Sequence, residues 1–145
     1  MRVDTLLDGS SRVAGDYVKS QTAFTEYYSS YGFYGTLITL STNSMYKLKS
    51  RGGELRVWGA PTPLPKTFTF SRGWSYLPCP YPRAVPLAAG LPVRAYEVDD
   101  LVKSQSDFAM YYAQFGWYGL LSQLEPGKGY EIQTAAGGEG TFMDR

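Results

Sequence analysis

A tripeptide of lysine, serine and glutamine occurs twice in the chain, at 19–21 and at 103–105. A serine beside a lysine could act as a base-activated nucleophile, and a repeated polar triplet could instead bind a ligand. Neighbouring residues on a strand point to opposite faces, so Lys103 and Ser104 do not form a dyad through adjacency alone. We therefore expect each serine to hydrogen-bond within its own unit, while the lysine and the glutamine line an exposed face. The candidate contact residues are Lys19, Gln21, Lys103 and Gln105.

Two further clusters contain residue types that could bind phosphate or transfer protons. The glycines of 125–129 (EPGKG) lack the upstream glycine and the hydroxyl residue after lysine that a P-loop requires. Asp99 and Asp100 could supply half of an acid–base pair, but glycosidase chemistry needs two carboxyl groups placed across a cleft. Asp16 alone stands at the matching place in the other half. These residues therefore predict turns and strand entries rather than a reaction centre.

The chain contains no histidine, and Cys79 is its single cysteine. The missing histidine removes Ser-His and Cys-His nucleophiles, the commonest general base and the usual zinc and copper ligands. One cysteine excludes an internal disulfide and a cysteine-based metal cluster. We therefore predict no catalytic residue, no metal and no cofactor, and a protein that is not an enzyme. Cys79 is expected to be a small buried apolar side chain.

These residues belong to a tandem duplication. At a constant offset of 84 and without a gap, 13 of 32 positions are identical between 17–48 and 101–132. The match weakens upstream but continues, since Asp16 pairs with Asp100 and Leu7 with Leu91. The sequence therefore predicts a first unit at 1–58, a proline-rich linker at 59–66 and a second unit at 67–145.

The predicted elements are short strands joined by turns. Residues 85–91 predict a short helix, and 125–129 predict a tight turn because they combine proline and glycine. Alternating Thr-Phe-Thr-Phe, a turn at 71–73 and an aromatic run predict a hairpin that opens the second unit, with no counterpart in the first. Hairpin turns are also expected at 52–53 and 137–138. The strands are expected at 18–21, 32–35, 102–105, 116–119 and 130–133. Residues 24–28 and 108–112 fit either a strand or one helical turn, and a strand is favoured. The fold class is mainly β, with two tandem pseudo-symmetric antiparallel units packed as one domain and short helical turns.

The composition narrows the range of partners. Charged residues make up 19%, with 14 basic and 13 acidic side chains and no basic run, which argues against binding to nucleic acid. No apolar stretch approaches the roughly 18 residues that would predict a membrane-spanning helix, so no membrane insertion is expected. Aromatic residues make up 16%, including 13 tyrosines, more than two small cores can bury. Exposed Tyr and Trp are typical anchors of protein contacts and stacking platforms for sugars. The candidate aromatic contacts are Tyr28, Tyr34, Trp74, Tyr112, Trp117 and Tyr118.

The second unit contains a motif of aromatic, glycine and polar residues: Gly73-Trp74, Lys103-Ser104-Gln105, Phe108-Ala109, Tyr111-Tyr112, Gly116-Trp117, Gly119 and Leu124 through Tyr130. In this motif it resembles a repeat module found in surface and secreted proteins of marine bacteria, in algal proteins and in phage structural proteins. The resemblance covers roughly 1–58 and 67–143, and the first unit departs from it at Phe33 and at 41–46 (STNSMY). A two-unit β protein of this kind is also similar to the algal pyrenoid shell proteins, which tile into a sheet around Rubisco in the chloroplast.

The resemblance implies an architectural or adhesive part, in the chloroplast or at a cell or virion surface. The function expected is self-assembly through sheet edges and exposed aromatics into a larger array or shell, with the protein itself as partner. Because the first unit lacks the opening strand of the second, one sheet edge is expected to lack its cover. The alternative is a carbohydrate-binding or adhesive module with a polysaccharide partner. An enzyme that uses carboxylates or tyrosine is a third, less favoured interpretation.

Overall fold

The structure, a computed structural model, describes residues 1–6, 12–52 and 55–145. The chain divides into two compact units, Met1–Ala60 and Pro61–Arg145, and each is described by itself. The division falls inside the proline-rich stretch. Leu7 of the repeat alignment and Gly53 of the expected turn at 52–53 lie outside the described residues.

Unit 1 is a four-stranded antiparallel sheet preceded by one helical turn. The sheet order is β3-β2-β1-β4, and Arg2 adds an isolated bridge to Thr39. Its core is small: Val3, Val18 and Leu37 are buried together. The elements are α1 (Val3–Leu6), β1 (Tyr17–Lys19), β2 (Phe24–Tyr28), β3 (Gly32–Gly35) and β4 (Lys47–Lys49).

Unit 2 contains the same four-strand arrangement and further strands, two of which stand at its start. The elements are β5 (Lys66–Phe70), β6 (Gly73–Leu77), β7 (Val85–Pro86), α2 (Leu87–Gly90), β8 (Leu101–Lys103), β9 (Phe108–Tyr112), β10 (Gly116–Gly119), β11 (Gln123–Leu124), β12 (Tyr130–Thr134) and β13 (Gly138–Phe142). The main sheet has the order β10-β9-β8-β12-β6, and two strand pairs, β11-β7 and β13-β5, accompany it. All pairings are antiparallel, which confirms the mainly β fold class.

The expected hairpin at the start of unit 2 is wrong. Strands β5 and β6 do not pair with each other; β5 pairs with β13 and β6 with β12. The segment 66–77 therefore runs beside 130–142 as one long ribbon, and both strands bend where they pass from one sheet to the next. The glycines at 137–138 are likewise part of this corner and not a hairpin turn. Residues 66–77 are compatible with either a hairpin or a corner. Which of the two forms is decided by strands β12 and β13, which lie far along the chain.

Side-chain hydrogen bonds hold the corner. The Thr134 hydroxyl donates to the Ser71 carbonyl oxygen at 3.2 Å, and the Ser71 amide donates to the Ser75 hydroxyl at 2.9 Å. Around the bend, edge-to-face aromatic contacts fill the core, with Phe68 4.8 Å from Phe70 and 6.1 Å from Phe142 between ring centroids. Such contacts contribute beyond the apolar area they bury.

Strands β3 and β10 end in glycines, Gly35 and Gly119, because a side chain at these positions would clash with the neighbouring strand. A Cβ on Gly119 would lie 2.3 Å from the Phe108 carbonyl oxygen, and one on Gly35 would lie 2.3 Å from that of Phe24. The φ angles of these glycines are 157° and 156°, in a region that side chains rarely adopt. Each glycine therefore lets the edge strand of its hairpin approach the neighbouring strand closely.

The expected turn at 125–129 is confirmed. The Lys128 amide donates to the Glu125 carbonyl oxygen at 3.2 Å, and Gly127 has a positive φ of 78° after Pro126. This is the arrangement of a type II turn. The Tyr130 hydroxyl accepts the Glu125 amide at 2.7 Å, and the corresponding Tyr46 hydroxyl accepts the Ser41 amide at 2.9 Å.

Corresponding strands of the two units share their burial pattern, except at one place. β1 and β8, β2 and β9, and β3 and β10 match residue by residue in burial. β4 does not match β12, because Leu48 is 45% exposed whereas Ile132 is fully buried. Further on, Trp58 is 85% exposed whereas the corresponding Phe142 is fully buried. Among its described residues, unit 1 has no counterpart of β5 and β6 to cover these positions.

Phe142→Ala should lower the free energy of unfolding of unit 2 by about 3 to 5 kcal/mol, because it leaves a cavity between Phe68 and Tyr81. The matched change Trp58→Ala should cost less than about 0.5 kcal/mol, because that ring lies in solvent. Chemical denaturation followed by circular dichroism measures both. Equal losses for the two variants would contradict the assignment of β5 and β6 as the cover specific to unit 2.

Candidate interaction surfaces

The serines of the repeated tripeptide close turns. The Ser104 hydroxyl accepts the amides of Asp107 at 3.0 Å and Ser106 at 3.3 Å, and it lies 3.3 Å from the Asp107 carbonyl oxygen. The Ser20 hydroxyl makes the same set with Ala23 and Thr22. The expected hydrogen bonding within each unit is confirmed. A hydroxyl used in this way holds the chain between two strands and is not positioned as a nucleophile.

The lysines of the tripeptide stand in different environments. Lys103 Nζ lies 3.0 Å from Glu131 Oε2 and 4.5 Å from the centroid of the Trp74 ring. It thereby joins three neighbouring strands, β8, β12 and β6. In unit 1 the residue directly opposite Lys19 on β4 is Lys47, a like charge. The glutamines Gln21 and Gln105 are exposed on the turns that follow.

The aspartates at the strand entries are structural. Asp100 is buried, and its carboxylate accepts the amides of Glu97 and Ala135, each at 2.9 Å. Asp16 is buried too and accepts the Val13 amide at 2.9 Å. Both oxygens of Asp100 are thus used to tie the strand entry to the ribbon corner. This supports the expected strand-entry role.

Neither a metal site nor a reactive thiol appears in the part of the chain that the structure describes. That part holds no group of three or more His, Cys, Asp or Glu side chains placed to bind a metal ion. Cys79 is partly buried against the core rather than fully buried as expected. Burial raises the pKa of its thiol, which disfavours the nucleophilic thiolate. Within the same ranges, no helix is long and apolar enough to cross a membrane.

Trp117 is a packed side chain and not an exposed platform. Its ring contacts Tyr96 and Tyr111 edge-to-face, at 5.0 and 5.5 Å between centroids. The Tyr96 hydroxyl donates to the Pro92 carbonyl oxygen at 2.7 Å, and burial raises the pKa of that hydroxyl. Trp117 therefore anchors β10 to the core. Trp74 is half-buried, at 38% exposure, beneath the Lys103 ammonium group.

Each unit exposes four aromatic side chains on its outer hairpin, which we call aromatic strip 1 and aromatic strip 2. Both hairpins end in a strand at the sheet edge, β3 or β10. The most exposed rings are Phe115 at 80%, Tyr118 at 74% and Tyr34 at 71%. Aromatic strip 1 consists of Phe24, Tyr28, Tyr31 and Tyr34, and aromatic strip 2 of Phe108, Tyr112, Phe115 and Tyr118.

Only half of these residues are predicted as contacts from the sequence. The predicted contacts include the tyrosines at 28, 34, 112 and 118 but not the rings of Phe24, Tyr31, Phe108 and Phe115. Strand alternation could have revealed that Phe24 and Phe108 are exposed. The residues that follow them, Thr25 and Ala109, are buried, so Phe24 and Phe108 point to the opposite, exposed face of β2 and β9. Tyr31 and Phe115 sit at the hairpin turns, where strand alternation gives no direction.

The two strips differ in polarity. The residue between the aromatic positions of β2 is Glu26, whereas the corresponding residue of β9 is Met110. Leu120, 80% exposed, follows β10 where unit 1 has Thr36. Aromatic strip 2 therefore has no charged side chain among its rings, whereas aromatic strip 1 has a carboxylate. Within strip 1, Tyr28 and Tyr31 stack at 5.1 Å.

A second surface lies at the other end of the unit 1 sheet. We call Lys47, Leu48 and Lys49 of β4 the open edge of unit 1. In the described residues no strand pairs with the outer side of β4, whereas β6 occupies the corresponding side of β12.

Comparisons with family models, with curated proteins and with solved structures find no match to this chain.

Trp117→Ala should destabilise unit 2 by about 3 kcal/mol, because the ring packs against Tyr96 and Tyr111. The neighbouring change Tyr118→Ala should alter stability by less than about 0.5 kcal/mol, since that side chain points to solvent. Thermal unfolding of both variants is the measurement. A native-like melting temperature for Trp117→Ala would contradict its role as a core anchor.

Proposed function

We propose that the protein is a non-enzymatic structural module that assembles with further copies of itself into a larger array or shell. The observation that carries this proposal is the repeated exposure of four aromatic side chains at the same places on both outer hairpins. The contacts are made by the edge strands β3 and β10 and by aromatic strips 1 and 2. The open edge of unit 1 is a further edge available for association.

Edge strands and aromatic rings supply complementary parts of such a contact. In the part of the chain that the structure describes, no strand pairs with the outer sides of β3 and β10, so each can add a strand from a neighbour. Exposed Tyr and Phe are the side chains most often found at the centre of protein interfaces. Because aromatic strip 2 contains no charge, two copies can face each other there without burying an ion.

Two strips on one chain determine what kind of assembly results. A contact between like strips of two copies is two-fold and closes on itself, so a chain with one strip would stop at a dimer. A chain with two such strips continues from copy to copy. The duplication therefore converts a dimer contact into an open polymer.

The resemblance to surface repeat modules and to pyrenoid shell proteins supports the same proposal. On that resemblance, the assembly would belong to an algal chloroplast or to a cell or virion surface. The closed turns of Ser20 and Ser104 and the structural use of Asp16 and Asp100 are consistent with a role that requires no reaction centre.

The alternative function is carbohydrate binding, and one observation favours it. In aromatic strip 1 a carboxylate, Glu26, stands among rings that include the stacked pair Tyr28 and Tyr31. A ring face beside a hydrogen-bond acceptor is suited to the apolar face and the hydroxyl groups of a sugar. Aromatic strip 2 lacks that acceptor, so this function would belong to unit 1.

Charge placed in the strips should dissolve the assembly stepwise. Phe115→Glu with Tyr118→Glu removes strip 2, and the matching pair Tyr31→Glu with Tyr34→Glu removes strip 1. Each double variant alone should stop at dimers, and the combination should be monomeric, because each strip supplies one contact. Multi-angle light scattering after size exclusion gives the masses, and negative-stain microscopy gives the wild-type polymer. Circular dichroism checks that the variants remain folded. A monodisperse monomeric wild-type protein at high concentration and physiological salt would refute the proposal.

The carbohydrate alternative is tested by retention on a polysaccharide column. If it holds, Glu26→Met, which copies the residue of unit 2, should abolish the retention while the wild-type assembly persists. The matched change Met110→Glu serves as control and should leave the retention unchanged. No retention of the wild-type protein on neutral or acidic polysaccharides removes this alternative.

A further inference from the structure

We propose that a pocket on unit 1 binds a small zwitterion that joins a quaternary ammonium group to a phosphate group, as in phosphocholine. The pocket lies on the face of the sheet opposite the buried Val18. This inference goes beyond self-assembly and beyond the carbohydrate alternative, because it assigns a charged ligand of low molecular weight. Three observations carry it: the placement of the pocket, the charges and rings that line it, and their replacement in unit 2.

The pocket lies on the hairpin formed by β1 and β2. Its volume is about 480 Å³, within the roughly 300–1,000 Å³ of small-molecule sites. Tyr17 stands opposite Glu26 on the paired strand, and Lys19 stands opposite Phe24. All four side chains therefore share one face and line the pocket, together with the turn at 20–23.

The pocket contains two opposite charges that do not pair with each other. The side chains of Lys19 and Glu26 are both half-buried. Among the residues that the structure describes, neither of them has an ion-pair or side-chain hydrogen-bond partner. They are diagonal neighbours on adjacent strands, roughly 7–8 Å apart between strand positions. A ligand with one positive and one negative group can therefore pair with both at once.

The rings around Glu26 select a quaternary ammonium as the positive group. Tyr17 on β1 and Tyr34 on β3 stand on either side of this carboxylate. Phe24 lies two residues before it on the same face. Ring faces attract cations, and aromatic surroundings are the means by which proteins recognise quaternary ammonium ligands. The Tyr17 ring already interacts with one cation, because Lys49 Nζ lies 5.5 Å from its centroid.

The lysines near the pocket select a negative group in the same ligand. A ligand with an ammonium alone would meet the positive charges of Lys19 and Lys49 as well as the carboxylate of Glu26. A phosphate beside the ammonium pairs with Lys19 and replaces this repulsion by attraction. Lysine binds phosphate as a point charge, so the contact requires no fixed orientation of the phosphate oxygens.

Unit 2 has the same hairpin but a different set of side chains on this face. The acid is replaced by Met110, and the tyrosine opposite it by Leu101. The corresponding lysine, Lys103, forms an ion pair with Glu131 at 3.0 Å. The carboxylate, one ring and the uncommitted lysine are therefore specific to unit 1, and unit 2 supplies the replacements for a matched test.

Titration of the full chain with phosphocholine tests the site. Phe115→Glu with Tyr118→Glu blocks association at aromatic strip 2 and keeps the pocket, and the titration is made below the concentration at which the chains associate. Isothermal calorimetry should show that phosphocholine binds at least about tenfold more tightly than choline or inorganic phosphate, because only the zwitterion pairs with both charges. The trimethylammonium protons should shift upfield in the NMR spectrum, because they lie against ring faces.

Substitutions that copy unit 2 should weaken this binding. Glu26→Met should lower the affinity for phosphocholine at least about tenfold. Tyr17→Leu should lower it at least about threefold and reduce the shift of the methyl protons. Lys19→Met should leave phosphocholine no tighter than choline. Glu139→Met, which removes an exposed carboxylate from a strand of unit 2, is the control and should change nothing. Thermal unfolding checks that each variant is folded.

Phosphocholine exists free and as a lipid headgroup, and flotation with phosphatidylcholine vesicles distinguishes the two sources. Co-flotation that free phosphocholine abolishes would assign the headgroup, and binding of phosphocholine without co-flotation would assign the free zwitterion. Either result supports the pocket.

Three outcomes would overturn the inference. They are no binding of phosphocholine, equal binding of phosphocholine and a neutral disaccharide, and an unchanged affinity in Glu26→Met. Each is independent of the light-scattering test of self-assembly, because the ligand is measured on chains that are not associated.

Discussion

The antiparallel pairing of β6 with β12 is the contact on which the closed core of unit 2 depends. It covers Ile132, places Trp74 beneath the Lys103 ammonium group, and leads through the corner at Ser71 and Thr134 into the β5–β13 pair. Beyond that corner, Phe68 and Phe142 close the core. Unit 1 has the same first three strands with the same burial, but among its described residues no strand covers the fourth, which remains at the surface. The absence of this ribbon from the described part of unit 1 thus accounts for the exposure of both Leu48 and Trp58.

Local structure was predictable from the sequence because it depends on neighbours. The strands at 24–28 and 108–112 and the Pro-Gly turn at 126–127 agree with the residues that form them. The ribbon was not predictable, because Thr-Phe-Thr-Phe followed by turn residues suits a hairpin as well as a corner. The exposure of Trp117 was overestimated for a similar reason: its partner Tyr96 lies outside the hairpin that carries it.

The repeated tripeptide illustrates how a duplicated motif can be mistaken for a site. Ser20 and Ser104 are retained because each closes the turn between two strands with its own hydroxyl. The lysines that precede these serines have different environments. Lys103 forms an ion pair with Glu131, whereas Lys19 lies directly opposite Lys47 on the neighbouring strand. The shared serines therefore meet a folding requirement, whereas the lysines beside them lie in different surroundings in the two units.

The ribbon of unit 2 also has a consequence for the order in which the chain folds. In unit 1 the widest strand pairing joins Tyr17 to Lys49 and the isolated bridge joins Arg2 to Thr39, whereas in unit 2 the ribbon joins Lys66 to Phe142. Contacts between distant residues carry a larger loop-closure entropy and slow folding. During synthesis, unit 1 can therefore complete its sheet while the second strand of the ribbon is still absent. The contacts of unit 1 join residues that are closer in the sequence, because unit 1 lacks the ribbon. Unit 1 can therefore reach its native state first.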